Sequence, residues 1–335
     1  LAAQAGIACS YPATPQPAKF RALMLFSPFA GNTPYEDLIK GVHFDANLVI
    51  VLENHRYDID ALSAGADVVV NLISDADLGL DMIGALGEMV AALGKPVINH
   101  PALILGTDRQ TISRRLAAVA GVVMPKTVRI GAADLLRRGG TDQTFPVIVR
   151  HAGTHGGEKM EVAADTAALN NFAREAGDQP LYLTAFVDYS SSDGFHRKYR
   201  LIFVGEQIFP YHLAIGDSWK VHHISTRMDE LQWMRDEEEV FLDNPAGVFG
   251  PGAMAALEMI RRIIGLDYFG IDCSVDAQGK IVVFEVNATM LIHLHNEGFE
   301  YKTPHVMKIK AAFERLLEQR AVGAATSTHV VSPMA

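Results

Sequence analysis

The sequence predicts an α/β protein whose carboxy-terminal half is of the α+β type. In the first hundred residues, short apolar runs alternate with helix-like stretches, a pattern typical of parallel strands buried between helices. Later in the chain, pairs of strand-like runs are joined by short turns, which predicts antiparallel hairpins. We therefore expect a doubly wound amino-terminal unit followed by subdomains built on antiparallel sheets.

The amino-terminal unit is expected to cover residues 20–105. Its strands are predicted at 22–28, 47–53, 67–73 and 95–101, and the helix at 81–94 ends on a glycine with a proline beyond it. The unit lacks a GxGxxG turn, so a dinucleotide-binding assignment has little support. The Ala/Pro-rich residues 1–19 are expected to form a tail or linker.

The rest of the chain is predicted to form a central subdomain, 106–184, a carboxy-terminal subdomain, 185–320, and a tail, 321–335. The expected elements, in chain order, are a polar helix from 107 to 121, a strand at 145–150 with a glycine-rich turn at 151–160, a helix near 165–176, a strand at 181–189, a hairpin about 205–206, an acidic solvent-exposed helix at 228–241, a helix at 254–265, a hairpin with its turn at 276–280, and an amphipathic helix at 302–320.

The composition argues against several classes of function. The 335 residues are 49% hydrophobic and 20% charged, and their net charge of −10 disfavours a protein built around nucleic acid or an anionic membrane. A local pocket for a small anion remains compatible with that charge.

The sequence shows neither a signal peptide nor an apolar run long enough to span a bilayer. Cys9 and Cys273 lie far apart, so we expect a reduced, cytoplasmic protein. Because the chain begins with Leu1 rather than Met, we expect it to be a trimmed part of something longer.

The second hairpin carries the sharpest chemical pattern. Glu285 and Asn287 lie two residues apart on a predicted strand and therefore share one face. Asp272, on the preceding strand, can face them across the turn. Two carboxylates this close repel each other unless a cation or a proton intervenes, and Mg²⁺ prefers such oxygen ligands together with waters and phosphates. The alternative is a salt-bridged or capped polar strand end.

The glycine-rich turn is the second pattern. Arg150 ends a strand, and Gly153, Gly156 and Gly157 would let backbone N–H groups approach an anion closely. The segment is not a Walker A loop, because no GK[ST] follows. The alternative is an ordinary mobile hairpin loop.

Together these features resemble the ATP-grasp superfamily of carboxylate–amine ligases. The resemblance covers roughly residues 21–320 and rests on FPVIVRHAGTHGGEKM, LTAFVDY, KYRLIFVGEQIFPYHLAI and GLDYFGIDCSVDAQGKIVVFEVNAT, the last being the most specific. The chain looks like the glutathione-synthetase and ribosomal-protein glutamate ligase branch, in which GLDYxGxD and ExN recur. The resemblance implies an amino-terminal α/β domain, a central lid domain and a carboxy-terminal antiparallel-sheet domain, with ATP held between two sheets.

The resemblance also implies roles for individual residues in binding ATP. Asp272, Glu285 and Asn287 would hold one or two Mg²⁺ ions, or Mn²⁺, that bridge the phosphates. Arg150 and Arg109 stand where the family commonly has lysines, and a guanidinium binds as a fork whereas an ammonium binds as a point. The other residues expected to contact the nucleotide are Gly153, His155, Gly156, Gly157, Thr184, Phe186, Val187 and Asp188. The adenine-contacting segment lacks the acidic residue often found there, and Asp188 is either a ribose contact or a solvated strand end.

On the substrate side, the resemblance places Arg200 on the first hairpin and Lys220 on its returning strand, near the reacting carboxyl group, where cations would neutralise developing charge. Surface charge on a hairpin is the alternative for both. His222, His293 and Asn296 are expected to contact substrate. His293 and His295 also form an HxH pair that invites a transition metal, but a third ligand at suitable spacing is missing.

The sequence thus predicts an ATP- and Mg²⁺-dependent ligase that activates a carboxylate as an acyl phosphate for attack by an amine. One alternative is a kinase of the same fold that phosphorylates a small molecule and stops there. Another is a non-catalytic ATP-binding regulatory module, which the two Arg-for-Lys changes suggest. The expected partners are small-molecule, amino-acid-like or peptide-like substrates, without nucleic acid or membrane, and a homodimer is left open.

Overall fold

The computed structural model describes residues 6–154, 156–222 and 226–327, which form three sheets. Within these ranges the chain forms fourteen strands and ten α-helices. The strands are β1 (Ile7–Tyr11), β2 (Arg21–Phe26), β3 (Asp45–Ile50), β4 (Val68–Asn71), β5 (Val97–Ile98), β6 (Val122–Val123), β7 (Thr127–Gly131), β8 (Val147–His151), β9 (Met160–Ala163), β10 (Pro180–Ala185), β11 (His196–Val204), β12 (Gln207–Gly216), β13 (Tyr268–Val275) and β14 (Ile281–Asn287). The helices are α1 (Glu36–Ile39), α2 (Ile59–Ala64), α3 (Leu80–Leu93), α4 (Pro101–Ile104), α5 (Arg109–Leu116), α6 (Ala132–Arg138), α7 (Thr166–Ala176), α8 (Gln232–Asp243), α9 (Pro245–Ile264) and α10 (Thr303–Ser327).

The first sheet has the strand order β1-β3-β2-β4-β5, and its last four strands run parallel. These are the strands that the apolar runs predict, and helix α3 ends at Gly94 in the left-handed conformation (φ 62°), as expected. The predicted amino-terminal tail differs, because it contributes β1, which pairs antiparallel with β3. Strand β1 is mostly exposed and is held by backbone pairing, so it carries no apolar pattern that a sequence reading could detect.

The central sheet is antiparallel, with the order β7-β10-β8-β9. Helices α6 and α7 belong to the same unit, whose core includes Leu135, Val149, Leu169 and Leu181. The strand predicted at 181–189 ends instead at Ala185, so the following residues leave the sheet. The glycine-rich turn joins β8 to β9, as the sequence predicts.

The third sheet has the order β12-β11-β13-β14-β6 and contains both predicted hairpins. Helix α5 is shorter than predicted, α9 begins earlier and contains a kink at Gly250 (φ 74°), and α10 continues to Ser327 into the segment expected to be a tail. The acidic helix α8 is not simply solvated. Its Met234, Phe241 and Leu242 are buried in the core, and Glu238 is completely buried.

A cleft of about 540 Å³ lies between the central and third sheets. The loop after β2, which belongs to the first unit, closes part of its rim through Ala30, Gly31, Asn32 and Pro34. Helices long and apolar enough to cross a membrane are absent from the described part of the chain. The fold thus brings three separate parts of the sequence together around one cavity.

Candidate active site

A row of polar side chains crosses the third sheet and lines the cleft. The strand register pairs His212 with Arg200, Arg200 with Asp272, and Asp272 with Glu285. Residues directly opposite each other on neighbouring strands project to the same face of a sheet. All four of these side chains, and Asn287 at the end of β14, line the cleft. The carboxylates therefore lie opposite each other, as expected, but they do so through a register shift between Asp272 and Cys273, because counting from the turn alone would place Phe284 opposite Asp272.

Asp272 is buried and held by two cations. Arg200 donates from Nε to Oδ1 at 2.6 Å and from Nη2 to Oδ2 at 2.8 Å, and Lys198 Nζ lies 3.4 Å from Oδ2. Burial by itself would raise the pKa of Asp272, but the charges of Arg200 and Lys198 outweigh it and hold that pKa at about 2. Asp272 is consequently ionised at neutral pH.

Glu285 is the second carboxylate of the row, and Arg109 donates from Nη2 to its Oε1 at 2.6 Å. Arg109 therefore reaches the cleft from the start of α5. The Oδ1 atom of Asn287 accepts hydrogen bonds from the N–H and hydroxyl of Thr289 at 2.7 and 2.5 Å. The end of β14 thus presents a carboxylate and an amide oxygen in fixed positions.

The donor set fits Mg²⁺. It consists of oxygen atoms only, and each carboxylate has about four lone-pair sites, so a bound guanidinium does not occupy all of them. Asn287 Oδ1 has two lone pairs, both used by Thr289, and would exchange one of these bonds for the metal. Within the described residues, His, Cys, Asp and Glu side chains form no group of three or more that could hold a metal by themselves. A metal here would need the amide of Asn287 together with waters and phosphates, which is how Mg²⁺ is usually bound.

Arg150 and the glycine-rich turn form the opposite wall. Arg150 is 7% exposed and donates to the carbonyl oxygen of Thr154. Burial, with the charge of Arg109, lowers the pKa of Arg150 to about 10, so it remains a cation at neutral pH. Its Nε is buried and has no hydrogen-bond partner in the described part of the structure. A buried guanidinium with an unused N–H is suited to bind an anion.

The glycines of the turn have the left-handed conformation that favours glycine. Gly156 and Gly157 (φ 64° and 76°) line the cleft. Gly153 (φ 71°) instead lines a smaller neighbouring cavity of about 40 Å³, where a Cβ would lie 2.9 Å from Leu78 Cδ2. His155, which we expected to contact phosphate, lies outside the described residues.

Lys220 and His222 line the cleft, but they do not lie on the returning strand of the hairpin, because β12 ends at Gly216. Lys220 Nζ donates to the carbonyl oxygen of Met160 at 3.3 Å, which links this segment to the end of the glycine-rich turn. Burial and the nearby charge of Lys198 lower the pKa of His222. Both residues therefore lie where a ligand bound between the sheets would contact them.

The other end of the cleft is apolar. Its lining includes the end of β10 and the segment that follows it, which supply Thr184, Phe186 and Val187. It also includes the apolar or aromatic side chains of Met124, Ile148, Tyr189, Trp219, Val283 and Phe284. The rings of Phe186 and Trp219 meet edge to face with centroids 6.0 Å apart. Pockets of this size with apolar walls and a few polar groups are typical of small-molecule sites.

Besides Gly153, three predicted site residues in the described part of the chain do not line the cleft. Asp188 has a largely exposed side chain, which accepts a hydrogen bond from the N–H of Ser190 at 2.9 Å, in agreement with a solvated strand end. His293 is half exposed, with Nδ1 4.0 Å from Asp37 of the first unit. Asn296 donates to the carbonyl oxygen of His293 at 2.9 Å. The segment after β14 runs along the first unit, and this places His293 and Asn296 away from the row.

Sequence reasoning missed Lys198 and His212. Lys198 lies two residues before Arg200 on the same strand, so strand alternation could have found it. Counting back from the two-residue turn places Tyr211 opposite Arg200. The register shifts by one between Arg200 and Leu201, and His212 takes that position instead. A bulge of this kind leaves no clear mark in the sequence.

Comparison with known proteins identifies the fold. No family model and no curated protein matches the chain. Among solved structures, the D-alanine–D-alanine ligase from Bacillus anthracis complexed with ATP is 11% identical, with 92% of this chain and 99% of that chain covered at a TM-score of 0.54. The ADP complex of the N5-carboxyaminoimidazole ribonucleotide synthetase PurK is 14% identical, with 88% and 78% covered at a TM-score of 0.54.

The chain has the ATP-grasp fold. A further structure, the VanG D-Ala:D-Ser ligase from Enterococcus faecalis, has 14% identity, 91% and 98% coverage and a TM-score of 0.51. The fold that the resemblance implied from the sequence is confirmed over most of the chain. At such low identity the likeness establishes the ATP-grasp architecture, and the reaction has to be argued from the residues of the cleft.

Proposed function

We propose that this protein is an ATP-dependent carboxylate–amine ligase. The observation that carries the proposal is the charge arrangement of the cleft. Its described lining contains five cations, Arg109, Arg150, Lys198, Arg200 and Lys220, around two carboxylates, Asp272 and Glu285. In a chain with a net charge of −10, this local excess of positive charge suits a polyanion such as a nucleoside triphosphate.

ATP fits the cleft in one direction. The apolar end beside Phe186 and Val187 suits adenine, and the cationic end suits the phosphates. Arg150, with its unused N–H, and the backbone of Gly156 and Gly157 would bind phosphate oxygens. Asp272, Glu285 and Asn287 would hold Mg²⁺, which when bound supplies charge neutralisation and alignment of the phosphates.

The second half of the site supports transfer to a carboxylate. Arg200 and Lys198 add positive charge beside Asp272, and Asn32 and Pro34 of the first unit line the same cleft. A carboxylate oxygen held by these cations attacks the γ-phosphoryl group, and ADP leaves. An amine then attacks the resulting acyl phosphate, the C–N bond forms, and the C–O bond to phosphate breaks. Positioning and charge stabilisation carry such a reaction without a covalent enzyme intermediate.

Two proteins with this fold are named as ligases of D-alanine with D-alanine or D-serine, which supports amino-acid-like substrates for this chain. The cleft volume of about 540 Å³ accommodates a nucleotide and a small second ligand. We therefore propose a small carboxylate and an amino-acid-like or peptide-like amine as the substrates.

The test is ADP release by the purified chain with ATP, Mg²⁺ and a panel of carboxylates, with hydroxylamine as a trapping nucleophile. A ligase forms a hydroxamate with at least one carboxylate, and Asn287→Ala serves as the inactive control. A stable phosphorylated product that forms without consumption of a nucleophile would indicate the kinase alternative. ATP binding without ADP release for every pair of carboxylate and nucleophile would contradict both the ligase and the kinase hypotheses. The non-catalytic regulatory module would then be favoured.

A further inference from the structure

A buried polar cluster lies at the edge of the third sheet, next to the cleft. Glu238 of α8 is completely buried and accepts hydrogen bonds from the N–H of Leu213 at 3.0 Å and from the hydroxyl of Tyr301 at 2.6 Å. Lys302 Nζ is 3.2 Å from the same carboxylate. His212 Nδ1 lies 2.5 Å from its Oε1. Strand β12 lies at the edge of the sheet, so the N–H of Leu213 has no neighbouring strand to bond to on that side. Glu238 accepts the hydrogen bond of this N–H and also contacts the imidazole of His212.

The contact between His212 and Glu238 decides which nitrogen of the imidazole carries the proton. Burial alone would raise the pKa of Glu238, but the bond from His212, the charge of Lys302 and the bond from Tyr301 hold it at about 2. Nδ1 has two neighbours, Glu238 Oε1 at 2.5 Å and Lys302 Nζ at 2.9 Å. An ionised carboxylate only accepts and would repel a nitrogen lone pair at the shorter distance, so Nδ1 donates to Glu238, and Lys302 acts on this nitrogen through its charge. In the neutral imidazole, Nε2 then carries the lone pair.

The second ring nitrogen of His212, Nε2, differs from Nδ1 in its surroundings. It is buried and has no hydrogen-bond partner in the parts of the chain that the structure describes, and His212 lines the cleft directly opposite Arg200. Directly opposed residues have Cβ atoms roughly 5 Å apart. An unpartnered buried acceptor is uncommon, and one in the wall of a ligand cleft points to a group that a ligand satisfies.

The charges that face His212 favour its neutral form. Burial and the Lys302 ammonium lower the pKa of His212, Glu238 opposes them, and Arg200 lowers it further. Tyr301 faces the cluster through its bond to Glu238. At neutral pH the imidazole is thus an unprotonated base, and Glu238 stabilises the imidazolium once a proton arrives.

We propose that His212, oriented by Glu238, is the base that deprotonates the attacking amine; this rests on the proposed ligase function. An amine reaches the site as an ammonium ion, which has no lone pair to attack with. One proton passes to His212 Nε2, and the freed lone pair attacks the carbonyl carbon of the acyl phosphate. The C–O bond breaks, inorganic phosphate leaves with the electron pair and takes the second amine proton, and the imidazolium returns its proton to solvent.

The test compares two nucleophiles that differ in their need for a base. Hydroxylamine is largely unprotonated at neutral pH, whereas ammonium and amino acids must first lose a proton. The variant is His212→Asn, whose side-chain N–H can still donate to Glu238 near the position of Nδ1 but which lacks Nε2. Glu238→Gln is the second variant, since it keeps Nε2 but removes the charge behind it. Hydroxamate formation by each variant also shows that it is folded.

We expect His212→Asn to lower kcat with ammonium or an amino acid by about 100-fold or more, which is the usual contribution of a general base. Hydroxamate formation should stay within a few-fold of the wild-type rate. The wild-type rate with amines should fall as the pH drops through the pKa of His212, and the rate with hydroxylamine should not. Glu238→Gln should lie between the wild type and His212→Asn.

Equal losses with both kinds of nucleophile, or no loss with amines, overturn the role of His212 while the ligase function stands. The same conclusion follows if the wild type forms hydroxamate but forms no amide with ammonium, amino acids or peptides as nucleophiles. Failure of the wild type to form hydroxamate with any carboxylate overturns the proposed ligase function itself. The proposed role of His212 as a base is then refuted as well.

Discussion

At the scale of single residues, the cleft is a set of carboxylates and the guanidiniums that hold them. Asp272 is 5% exposed and bonded to two nitrogens of Arg200, and Glu285 is bonded to Arg109. Removing one partner of a buried ion pair typically costs about 3–5 kcal/mol, because the other charge is left without compensation. Substitutions in these pairs therefore damage the fold and the chemistry together. Asn287 and Arg150 are cleaner probes.

Replacement of Asn287 by alanine tests the metal assignment. Asn287 is neutral, so Asn287→Ala leaves no buried charge unpaired and loses only the two bonds from Thr289, at about 1 kcal/mol each. We expect Mg²⁺-dependent ADP formation to fall on the order of 100-fold or more, with a small change in the urea-unfolding midpoint. Asn287→Asp keeps an oxygen ligand and should retain measurable activity. Full activity of the alanine variant would refute the proposed metal site.

Replacement of Arg150 tests the phosphate-binding wall. Arg150→Ala should raise the KM for ATP by about tenfold or more, since a charge-assisted hydrogen bond contributes about 1.5–3 kcal/mol. Arg150→Lys keeps the charge and should recover most of the affinity. The control is Arg137→Ala, because Arg137 is largely exposed and pairs with Asp134 on the surface. If the KM for ATP is unchanged in Arg150→Ala, the phosphates do not bind at Arg150.

At the scale of elements, the sequence predicts those features whose pattern is local. The turn at 276–280 and the alternation of Glu285 with Asn287 are local, but the register shifts by one between Asp272 and Cys273, and this shift places Asp272 opposite Glu285 rather than Phe284. Strand β1 escapes prediction because it is exposed and held by backbone pairing. The sequence predicts a solvated α8 because Glu238 lies among acidic neighbours, whereas its burial depends on Tyr301, 63 residues away.

The same distinction explains how much of the candidate site could be predicted. Alternation along one strand predicts that Glu285 shares a face with Asn287, and Lys198 with Arg200, whereas the pairing of Asp272 with Glu285 depends on a register shift. His212 depends on a bulge, and the rim residues of the first unit depend on how the three sheets pack, which is a long-range property. The exposure of Asp188 follows from the early end of β10.

The glycine-rich turn offers a matched pair of substitutions. Gly153 and Gly279 have nearly the same positive φ (71° and 74°), so alanine costs about 1–2 kcal/mol of backbone strain at either position. At Gly153 the added Cβ would also lie 2.9 Å from Leu78, whereas at Gly279 nothing lies within 4 Å. We expect Gly153→Ala to raise the KM for ATP and to destabilise the protein more than Gly279→Ala does. Equal effects on the KM would show that the position of the turn does not matter for nucleotide binding.

Helix α8 makes stability depend on pH through Glu238. Its folded-state pKa of about 2 is below the ordinary value of 4.5, so its stabilising contribution is present above that value and is lost as the pH falls from about 4.5 toward 2. The shift corresponds to about 3 kcal/mol at neutral pH. We expect Glu238→Gln to lower the free energy of unfolding at pH 7 and to show a weaker decline between about pH 5 and about pH 3.

Urea unfolding of both proteins across that range measures the effect. The control is Glu239→Gln, because Glu239 is the exposed neighbour on the same helix. An acid response of Glu238→Gln that is as steep as that of the wild type would assign the pH dependence to other carboxylates.

At the scale of the whole molecule, the three sheets belong to two packed bodies. One continuous core joins the first sheet to the third and includes Met24, Val70, Tyr268 and Phe313. The central sheet has a core of its own. Buried Asn99 strengthens the first connection by bonding to the backbone of Tyr268 and its neighbour. This division supports the proposal that the central sheet acts as a lid over the nucleotide.

A hydrogen bond between the bodies allows the lid to be tested. Tyr182 of the central sheet donates its hydroxyl proton to Asp77 of the first unit, with O–O distances of 2.9 and 3.1 Å to the two carboxylate oxygens. Tyr182→Phe removes this bond and keeps the buried ring, so the core of the central sheet should stay intact. Loss of a bond to a charged group costs about 1.5 kcal/mol or more, which favours the open arrangement. Since ATP would contact both bodies, its apparent affinity falls with the population of the closed form.

We expect the ATP concentration that gives a half-maximal thermal shift to rise by about tenfold in Tyr182→Phe, with the Tm in the absence of nucleotide nearly unchanged. The control is Tyr57→Phe, whose hydroxyl bonds to Ile50 and Leu52 within the first unit and therefore lies on one body only. That substitution should lower the Tm and leave the ATP dependence as in the wild type. If Tyr182→Phe lowers the Tm but keeps the wild-type ATP dependence, the bond stabilises the fold without controlling closure. The central sheet would then not act as a lid through this contact.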